Sequence, residues 1–198
     1  MKPSKHSRLK VMLVDEDSDR AAGLRAALDT NGYKVVSLLA SPLEIYDAVV
    51  ATSPDVIIID TESPTRDSFE SLAFVSRDRP HPIVMFSGDR SSETIRAAIR
   101  AGVSAYVVDG LSEDRLQPIL DVAVERFAAE QTLKRELADA KTQLADRKSV
   151  ERAKGILMKQ KSIPEDEAFR LLRRFAMDRG IKLGDAAVRV IDMANIIG

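Results

Sequence analysis

The sequence predicts an α/β domain with a five-stranded parallel sheet, followed by a long linker helix and a small all-α domain. Two observations predict the first domain: five short apolar runs rich in β-branched residues, and amphipathic helical segments that alternate with them. A third observation predicts the helical end. Between Leu111 and Ala145 the chain has no glycine and a single proline, which favours one long helix.

The five apolar runs have the length and composition of buried strands. The predicted strands are Lys10–Val14, Tyr33–Leu39, Val56–Ile59, Ile83–Phe86 and Ala105–Val108. Helices are predicted between them at Asp19–Asn31, Pro42–Thr52, Ser68–Arg77 and Ser91–Arg100, with a last one near Asp114–Arg126. In such a sheet the functional crevice lies at the carboxyl ends of the strands.

The linker helix carries an apolar stripe with the spacing of a coiled coil. Leu133, Leu137, Ala140 and Leu144 are separated by 4, 3 and 4 residues. This spacing predicts a short dimeric coiled coil and hence a homodimer; the alternative is a single helix that packs on its own domain. We divide the chain into a disordered N-terminus (1–8), the α/β domain (9–125), the helical linker (126–146) and a C-terminal domain (147–198).

The C-terminal domain is predicted to contain three helices. The linker helix runs on through Arg147–Lys161, and two further helices cover Glu165–Arg179 and Leu183–Ile197. Pro164 suits the first turn of the second helix, and Gly180 ends it. Three short helices form only a small core, which would be marginally stable alone.

Charge is distributed unevenly between the two ends of the chain. Residues 1–125 hold 14 Lys/Arg and 20 Asp/Glu, a net charge of −6, whereas residues 140–198 hold 13 and 8, a net charge of +5. Different partners for the two ends would explain this asymmetry, and two solvated surfaces would as well. The chain has no cysteine, which excludes disulfides and thiolate chemistry, and no apolar stretch long enough for a membrane span. We expect a cytoplasmic protein.

Acidic residues follow several of the predicted strands. Asp15, Glu16 and Asp17 follow the first strand, and Asp60 follows the third. Ser87 follows the fourth and adds a hydroxyl at the same sheet edge. Crowded carboxylates favour a divalent cation, and oxygen ligands suit Mg²⁺. An aspartate beside Mg²⁺ can accept a phosphoryl group. The alternative is that these acids only cap the helices that follow.

Basic residues cluster on two of the C-terminal helices. They can neutralise phosphates, although a solvated basic surface is an equal alternative from charge alone. Gly155 is costly inside a helix, by roughly 1 kcal/mol relative to Ala, and therefore suggests the close approach of a backbone or a ligand. The spacing of Phe169 and Phe175 favours a place in the core over base stacking.

Residues 9–125 resemble the receiver domain of two-component response regulators. The matching segments are VDED (14–17), PDVIIIDTESP (54–64), MFSG (85–88) and GVSAYVV (102–108). The resemblance implies a flavodoxin-like (βα)5 fold with strand order 2-1-3-4-5. It also implies an acidic pair, a phosphoacceptor, a switch hydroxyl and a switch aromatic, which are respectively Asp15 with Glu16, Asp60, Ser87 and Tyr106. The Mg²⁺ ligands would be Asp15, Glu16, Asp60 and the backbone carbonyl of Glu62.

One departure from the receiver pattern concerns the end of the fifth strand. Receivers normally carry Lys-Pro there, and that lysine pairs with the phosphorylated aspartate. This sequence has Asp109-Gly110 instead, and an anion at that place opposes a phosphoryl group. We therefore expect the receiver-like domain to be controlled by a bound partner protein, with phosphorylation of Asp60 as the alternative.

Residues 147–191 resemble the ANTAR domain of transcription antiterminators. The segments AKGILM (153–158), EAFRLLRRFAM (167–177) and KLGDAA (182–187) carry the resemblance. It implies binding of RNA stem-loops in leader mRNA. The residues that match the family's RNA-binding face are Arg152, Lys154, Gly155, Met158, Lys159, Arg173 and Arg174.

The two resemblances together predict a non-enzymatic, RNA-binding transcription antiterminator. With DGL (109–111) in place of Lys-Pro, the arrangement is similar to NasT-type regulators of nitrate assimilation. That similarity implies nitrate/nitrite assimilation transcripts and a nitrate/nitrite-binding, NasS-like sensor protein as partner. The alternatives are a phosphorylation-dependent two-component response regulator that acts on DNA, and a receiver-type scaffold that binds no nucleic acid.

Overall fold

The computed structural model describes residues 9–108 and 113–197. The predicted disordered segment 1–8 and the Asp109-Gly110 pair lie outside the described residues. The chain divides into two compact units, residues 1–130 and 131–198. No described helix combines the length and the apolar character that spanning a membrane requires.

The first unit contains a five-stranded parallel sheet in the order β2-β1-β3-β4-β5, which confirms the predicted topology. The strands are β1 (Lys10–Asp15), β2 (Lys34–Leu39), β3 (Val56–Thr61), β4 (Ile83–Ser87) and β5 (Ala105–Val108). The helices of this unit are α1 (Ser18–Thr30), α2 (Ile45–Thr52, after a 3-10 turn at Pro42–Glu44), α3 (Arg66–Asp78), α4 (Ser92–Arg100) and the first part of α5 (Glu113–Lys161).

The period-two alternation of the strands divides the core between the two faces of the sheet. On one face Met12, Ile57 and Ile59 pack with residues of α2, α3 and α4. On the other face Leu13 and Phe86 pack with residues of α1 and α5. Side chains buried on both faces explain why the central strands are almost entirely apolar until their last residues.

The helix α5 is one uninterrupted element from Glu113 to Lys161 and belongs to both units. The long predicted linker helix is therefore present, and it runs on without a break past residues 125 and 146, as predicted. From residue 132 to residue 145 every side chain of α5 is exposed. Leu133, Leu137 and Leu144 are 66%, 54% and 56% exposed, so the predicted apolar stripe has no cover from the described residues.

The second unit is held together by a small core between the end of α5, α6 (Glu165–Asp178) and α7 (Leu183–Ile197). Four of the six buried residues of this core are alanines, and Leu172 and Ile191 complete it. Alanine lets helix backbones approach closely, but it buries little apolar area. From Arg147 onward the charged side chains of α5 and α6, apart from Lys154, are exposed around this small core.

Candidate functional site

The carboxyl edge of the sheet brings two aspartates together. Asp15 ends β1, and its register partner on β3 is Asp60. The next residue of β3, Thr61, is the register partner of Ser87, which ends β4. These ends are buried: Asp15 is 4% exposed, Asp60 is 9% exposed and Ser87 is 1% exposed. The predicted convergence of the strand ends therefore places two buried carboxylates side by side.

An arginine that the sequence argument did not single out lies over these two aspartates. The Nε and Nη2 atoms of Arg20 donate hydrogen bonds to Oδ2 and Oδ1 of Asp15, at 3.0 and 2.7 Å. The same Nε atom lies 3.4 Å from Oδ2 of Asp60. The guanidinium thus forms a bidentate contact with the Asp15 carboxylate and an ion pair with the Asp60 carboxylate. The sequence offered one indication of this contact, which is the position of Arg20 shortly after Asp15 and Asp17.

The charges of this pocket shift one another's protonation equilibria. Burial raises the pKa of Asp60 above its ordinary value, Arg20 opposes that shift, and the carboxylates of Asp15 and Asp17 add to it. The hydrogen bond to Asp15 raises the pKa of Arg20. Asp17 caps α1, and the backbone N–H groups of Arg20 and Asp19 lower the pKa of its carboxyl group. The cap also fixes the backbone of Arg20 at the edge of the pocket.

The predicted switch residues lie on a chain of hydrogen bonds at the same sheet edge. The Ser87 hydroxyl donates to the backbone carbonyl of Glu62 at 3.1 Å and accepts from the backbone N–H of Asp89 at 3.2 Å. The Tyr106 hydroxyl donates to the backbone carbonyl of Asp89 at 2.8 Å. Ser87 and Tyr106 are therefore connected through the loop between β4 and α4.

A cleft of about 570 Å³ opens at this edge of the sheet and is lined by Glu16, Asp17, Ser18, Arg20, Thr61, Glu62 and Ser63. Glu16 is exposed and lies at its wall. Among the described residues, no three His, Cys, Asp or Glu side chains are arranged to hold a metal ion. The donors that are present fit Mg²⁺ nevertheless: Mg²⁺ takes one or two carboxylates and keeps several waters, and Asp15 and Asp60 already share one cation.

A stripe of exposed residues on α5 faces away from the core of the second unit. Lys148, Arg152, Gly155 and Lys159 are all exposed, and their spacing of 4, 3 and 4 residues puts them on one helix face. A Cβ atom added at Gly155 would meet nothing within 4 Å. No described residue of this chain therefore makes the close approach that this glycine predicts, and the bare backbone of Gly155 lies open between Arg152 and Lys159. Met158 is half-buried beside the stripe.

The exposed face of α6 combines basic and apolar side chains. Arg170, Arg173 and Arg174 are exposed. Phe169 and Met177, which lie one helical turn before and after Arg173, are 38% and 70% exposed. The prediction that Phe169 belongs to the core is wrong: its neighbour Ala168 is buried and Leu172 is part of the core, whereas Phe169 is exposed.

Phe175, the second aromatic residue of α6, does pack against the core, as predicted. The guanidinium of Arg179 stacks on its ring at 4.8 Å from the ring centroid. The exposed aromatic surface of α6 is therefore contributed by Phe169.

Lys154 differs from the other predicted RNA-binding residues because it is buried. Its side chain is 10% exposed, and its Nζ atom lies 2.6 Å from Oε1 of Glu165 and 2.9 Å from Oε2 of Glu151. These carboxylates, Glu165 first, raise the pKa of Lys154, and Lys154 in turn lowers the pKa of Glu165. The ammonium group thus joins α5 to the first turn of α6, whereas Arg152, Lys159, Arg173 and Arg174 remain exposed.

Comparison with protein families identifies two domains in the chain. Residues 11–121 match the response regulator receiver domain, and residues 138–191 match the ANTAR domain. The transcriptional regulatory protein PdtaR of Mycobacterium tuberculosis is 30% identical over 183 residues, which span 92% of this chain and 89% of that protein. The pair of matched domains confirms the prediction that the chain is a regulator and not an enzyme.

Other similarities concern the receiver fold. A protein-glutamate methylesterase/protein-glutamine glutaminase of Gluconobacter oxydans is 33% identical over 50% of this chain, but the match spans only 29% of that enzyme. Among solved structures, the signal receiver domain of a modulated diguanylate cyclase from Desulfovibrio desulfuricans has a TM-score of 0.55 and 23% identity over 62% of this chain and 98% of that domain. Chemotaxis protein CheY4 of Vibrio cholerae has a TM-score of 0.51 and 24% identity over 58% and 97%. At 23% and 24% identity, the similarity to these two solved structures shows a shared fold and no more.

The ion pair between Lys154 and Glu165 predicts a pH-dependent stability. Because the folded state lowers the pKa of Glu165, the pair stabilises the fold above the ordinary glutamate pKa, and this contribution is lost as the pH falls through the lowered value. We expect Glu165→Gln to lower the Tm at neutral pH and to have no effect in acid. Thermal unfolding followed by circular dichroism over a pH series measures this.

The matched control is Glu167→Gln. Glu167 lies in the same first turn of α6, but the partner of Lys154 in that turn is Glu165. Its effect reports the interaction with the helix dipole alone. Equal losses of Tm in the two variants at neutral pH would contradict a specific role of the ion pair.

Proposed function

Because this chain belongs to the response regulators that join a receiver domain to an ANTAR domain, we propose that it is a transcription antiterminator that binds RNA stem-loops in leader mRNA. The observation that carries the proposal is the exposed stripe of α5, in which Gly155 lies open between Arg152 and Lys159. A helix gains nothing from a glycine at such a position, whereas a ligand backbone gains access to the helix surface.

The two exposed helix faces suit an RNA loop in different ways. Arg152, Lys159, Arg173 and Arg174 supply cations for the phosphates of the RNA. Phe169 offers an aromatic edge beside Arg173, and unpaired bases stack on aromatic and guanidinium groups. We propose that Arg152, Gly155, Met158, Lys159, Arg173 and Arg174 contact the RNA.

Lys154 contributes to the same surface in another way. Its ammonium group is buried and is engaged by Glu151 and Glu165, so its charge is already balanced by two carboxylates within the chain. We propose that Lys154 holds α6 in position against α5, and that this supports the RNA-binding surface without lying on it.

Control through the receiver domain is proposed to come from a bound partner protein. Asp109 stands in the sequence where a receiver lysine would read the phosphorylated aspartate, which supports control by a partner. The finer hypothesis is that the partner is a nitrate/nitrite-binding, NasS-like sensor and that the transcripts encode nitrate/nitrite assimilation. It rests on the resemblance to NasT-type regulators, and sequencing of the RNA that co-purifies from cells grown with and without nitrate tests it.

The alternative is a phosphorylation-dependent two-component regulator that acts on nucleic acid. The buried Asp60 beside Asp15 favours it, since these carboxylates, the Glu62 carbonyl and the wall residue Glu16 are the groups that would hold Mg²⁺. Bound Mg²⁺ would supply charge neutralisation to an incoming phosphoryl group. A Mg²⁺-dependent acetyl-phosphate adduct of Asp60 that changes RNA affinity would favour this alternative over control by a partner.

The exposed leucine stripe of α5 supports a homodimer. Leu133, Leu137 and Leu144 have no cover in the described chain, and a second copy of the same helix buries them by coiled-coil packing. A dimer would present two RNA-binding units to paired stem-loops, which raises the effective affinity without new contacts.

Charge reversal at Arg173 and Arg174 together tests the RNA-binding surface. The loss of two phosphate contacts alone reduces the salt slope of log K by roughly 1.4 to 1.8, taking 0.7 to 0.9 per contact, and repulsion by the two introduced carboxylates lowers the affinity further. Filter binding of a leader stem-loop and of duplex DNA with the same sequence, over a salt series, measures both quantities.

The matched control is charge reversal at Arg96 and Arg100, two exposed arginines of α4 in the receiver unit. RNA binding should be unchanged in this control. Preference for the duplex DNA would support the DNA-binding alternative, and absence of any nucleic-acid binding would support a scaffold role.

Gly155→Ala separates helix stability from ligand access. The substitution should stabilise α5 by roughly 1 kcal/mol, because alanine is the better helix former and its methyl group meets no neighbour. We expect the same variant to bind RNA more weakly, because the methyl group blocks close approach. Urea unfolding and filter binding measure the two effects, and a more stable variant with undiminished RNA affinity would contradict the proposal.

Leu137→Asp tests the homodimer. A charge in the middle of the leucine stripe should convert a dimer to a monomer, as measured by sedimentation equilibrium. The control is Thr142→Asp, which places the same charge on the opposite side of the exposed part of α5. A wild-type protein that sediments as a monomer, or dimers in both variants, would refute the coiled-coil interface.

A further inference from the structure

The guanidinium of Arg20 occupies the position between the two buried aspartates of the receiver pocket. It contacts both oxygens of Asp15, at 2.7 and 3.0 Å, and its Nε atom is 3.4 Å from Asp60. The Asp15 side chain is completely buried and the Asp60 side chain is 11% exposed, whereas Arg20 is 33% exposed. Arg20 lines the cleft at this sheet edge, whereas Asp15 and Asp60 are not among the residues that line it. The arginine therefore separates the aspartates from solvent.

The backbone of α1 holds Arg20 at this place. Asp17 caps the helix by accepting hydrogen bonds from the backbone N–H groups of Asp19 and Arg20. The backbone N–H of Asp17 in turn donates to Oδ1 of Asp15 at 2.9 Å, the oxygen that also accepts from Nη2 of Arg20. The start of α1 and the acidic pocket thus form one hydrogen-bonded unit, in which the arginine emerges directly beside the carboxylates.

We propose that Arg20 is a built-in counter-cation that competes with a divalent metal ion for Asp15 and Asp60. Two buried carboxylates that are register partners on adjacent strands repel each other, and the planar guanidinium neutralises them without a metal ion. A Mg²⁺ ion needs the same oxygens at about 2.0–2.1 Å and in octahedral geometry. It would also lie beside a like charge unless the guanidinium moved away.

The metal-binding state of the receiver pocket depends on where the Arg20 side chain lies. Metal binding requires the Arg20 side chain to leave Asp15, so the metal-free pocket is the stable state at low metal concentrations. The competition concerns the receiver unit and does not depend on RNA binding. Its failure would therefore leave the proposed function untouched, and loss of RNA binding would leave the competition intact.

The test compares the metal affinity of the wild type with that of Arg20→Ala in the full-length protein. Mn²⁺ serves as the probe because it shares the preference of Mg²⁺ for oxygen ligands, and electron paramagnetic resonance reports the free ion. We expect Arg20→Ala to bind Mn²⁺ about ten-fold more tightly or better, since a repelling unit charge a few ångströms away is removed. Arg20→Lys keeps the charge but loses the bidentate contact, so its Mn²⁺ affinity should lie between those of the wild type and Arg20→Ala.

Two controls locate the effect. Arg25→Ala removes an exposed arginine from the same helix that pairs with Asp29, and its Mn²⁺ affinity should equal that of the wild type. Asp15→Asn in the Arg20→Ala background should abolish the gained binding. Equal affinity in wild type and Arg20→Ala, or weaker binding in Arg20→Ala, would overturn the proposal.

A second measurement covers the case in which Arg20→Ala is less stable. Without metal, loss of the counter-cation should lower the Tm, because two carboxylates are left buried without their partner. Addition of Mg²⁺ should restore the Tm of Arg20→Ala and change that of the wild type little. A Tm deficit that Mg²⁺ does not repair would contradict the competition.

Discussion

Asp15 and Asp60 are register partners on adjacent strands that share the guanidinium of Arg20, and the organisation of the receiver pocket depends on this contact. A buried charge without a partner is costly, and the buried Asp15 and Asp60 both lie within ion-pair distance of Arg20. The same constraint applies to Lys154, which is held by Glu151 and Glu165. Pairing within the chain decides which charges a ligand meets directly and which it meets only after an ion pair has been broken.

In the second unit this constraint separates structural from available cations. Lys154 is engaged between α5 and α6, whereas the arginines and lysines on the outer faces of these helices extend into solvent. The small alanine-rich core keeps the two helices close, so their outer faces form neighbouring cationic surfaces. The open backbone at Gly155 adds the access that a bulky polyanion such as an RNA loop needs.

Periodicity was sufficient to predict the strands, the helices and the long α5, because each reflects which side chains the sheet or the core must bury. Convergence of Asp15 and Asp60 followed from the rule that parallel strands end at one edge. The roles of Arg20, Lys154 and Phe169 were not predictable in this way. The partner of a long side chain depends on all the residues that the fold brings near it. Whether a residue at the edge of a small core is buried depends on how closely the helices approach each other.

The most direct test of RNA binding by the second unit is ultraviolet cross-linking in living cells, followed by mass spectrometry of the purified, digested chain. The proposal predicts nucleotide adducts on peptides from the end of α5 and from α6. Adducts confined to peptides of the receiver unit, or a yield no higher than that of a protein that binds no RNA, would contradict it.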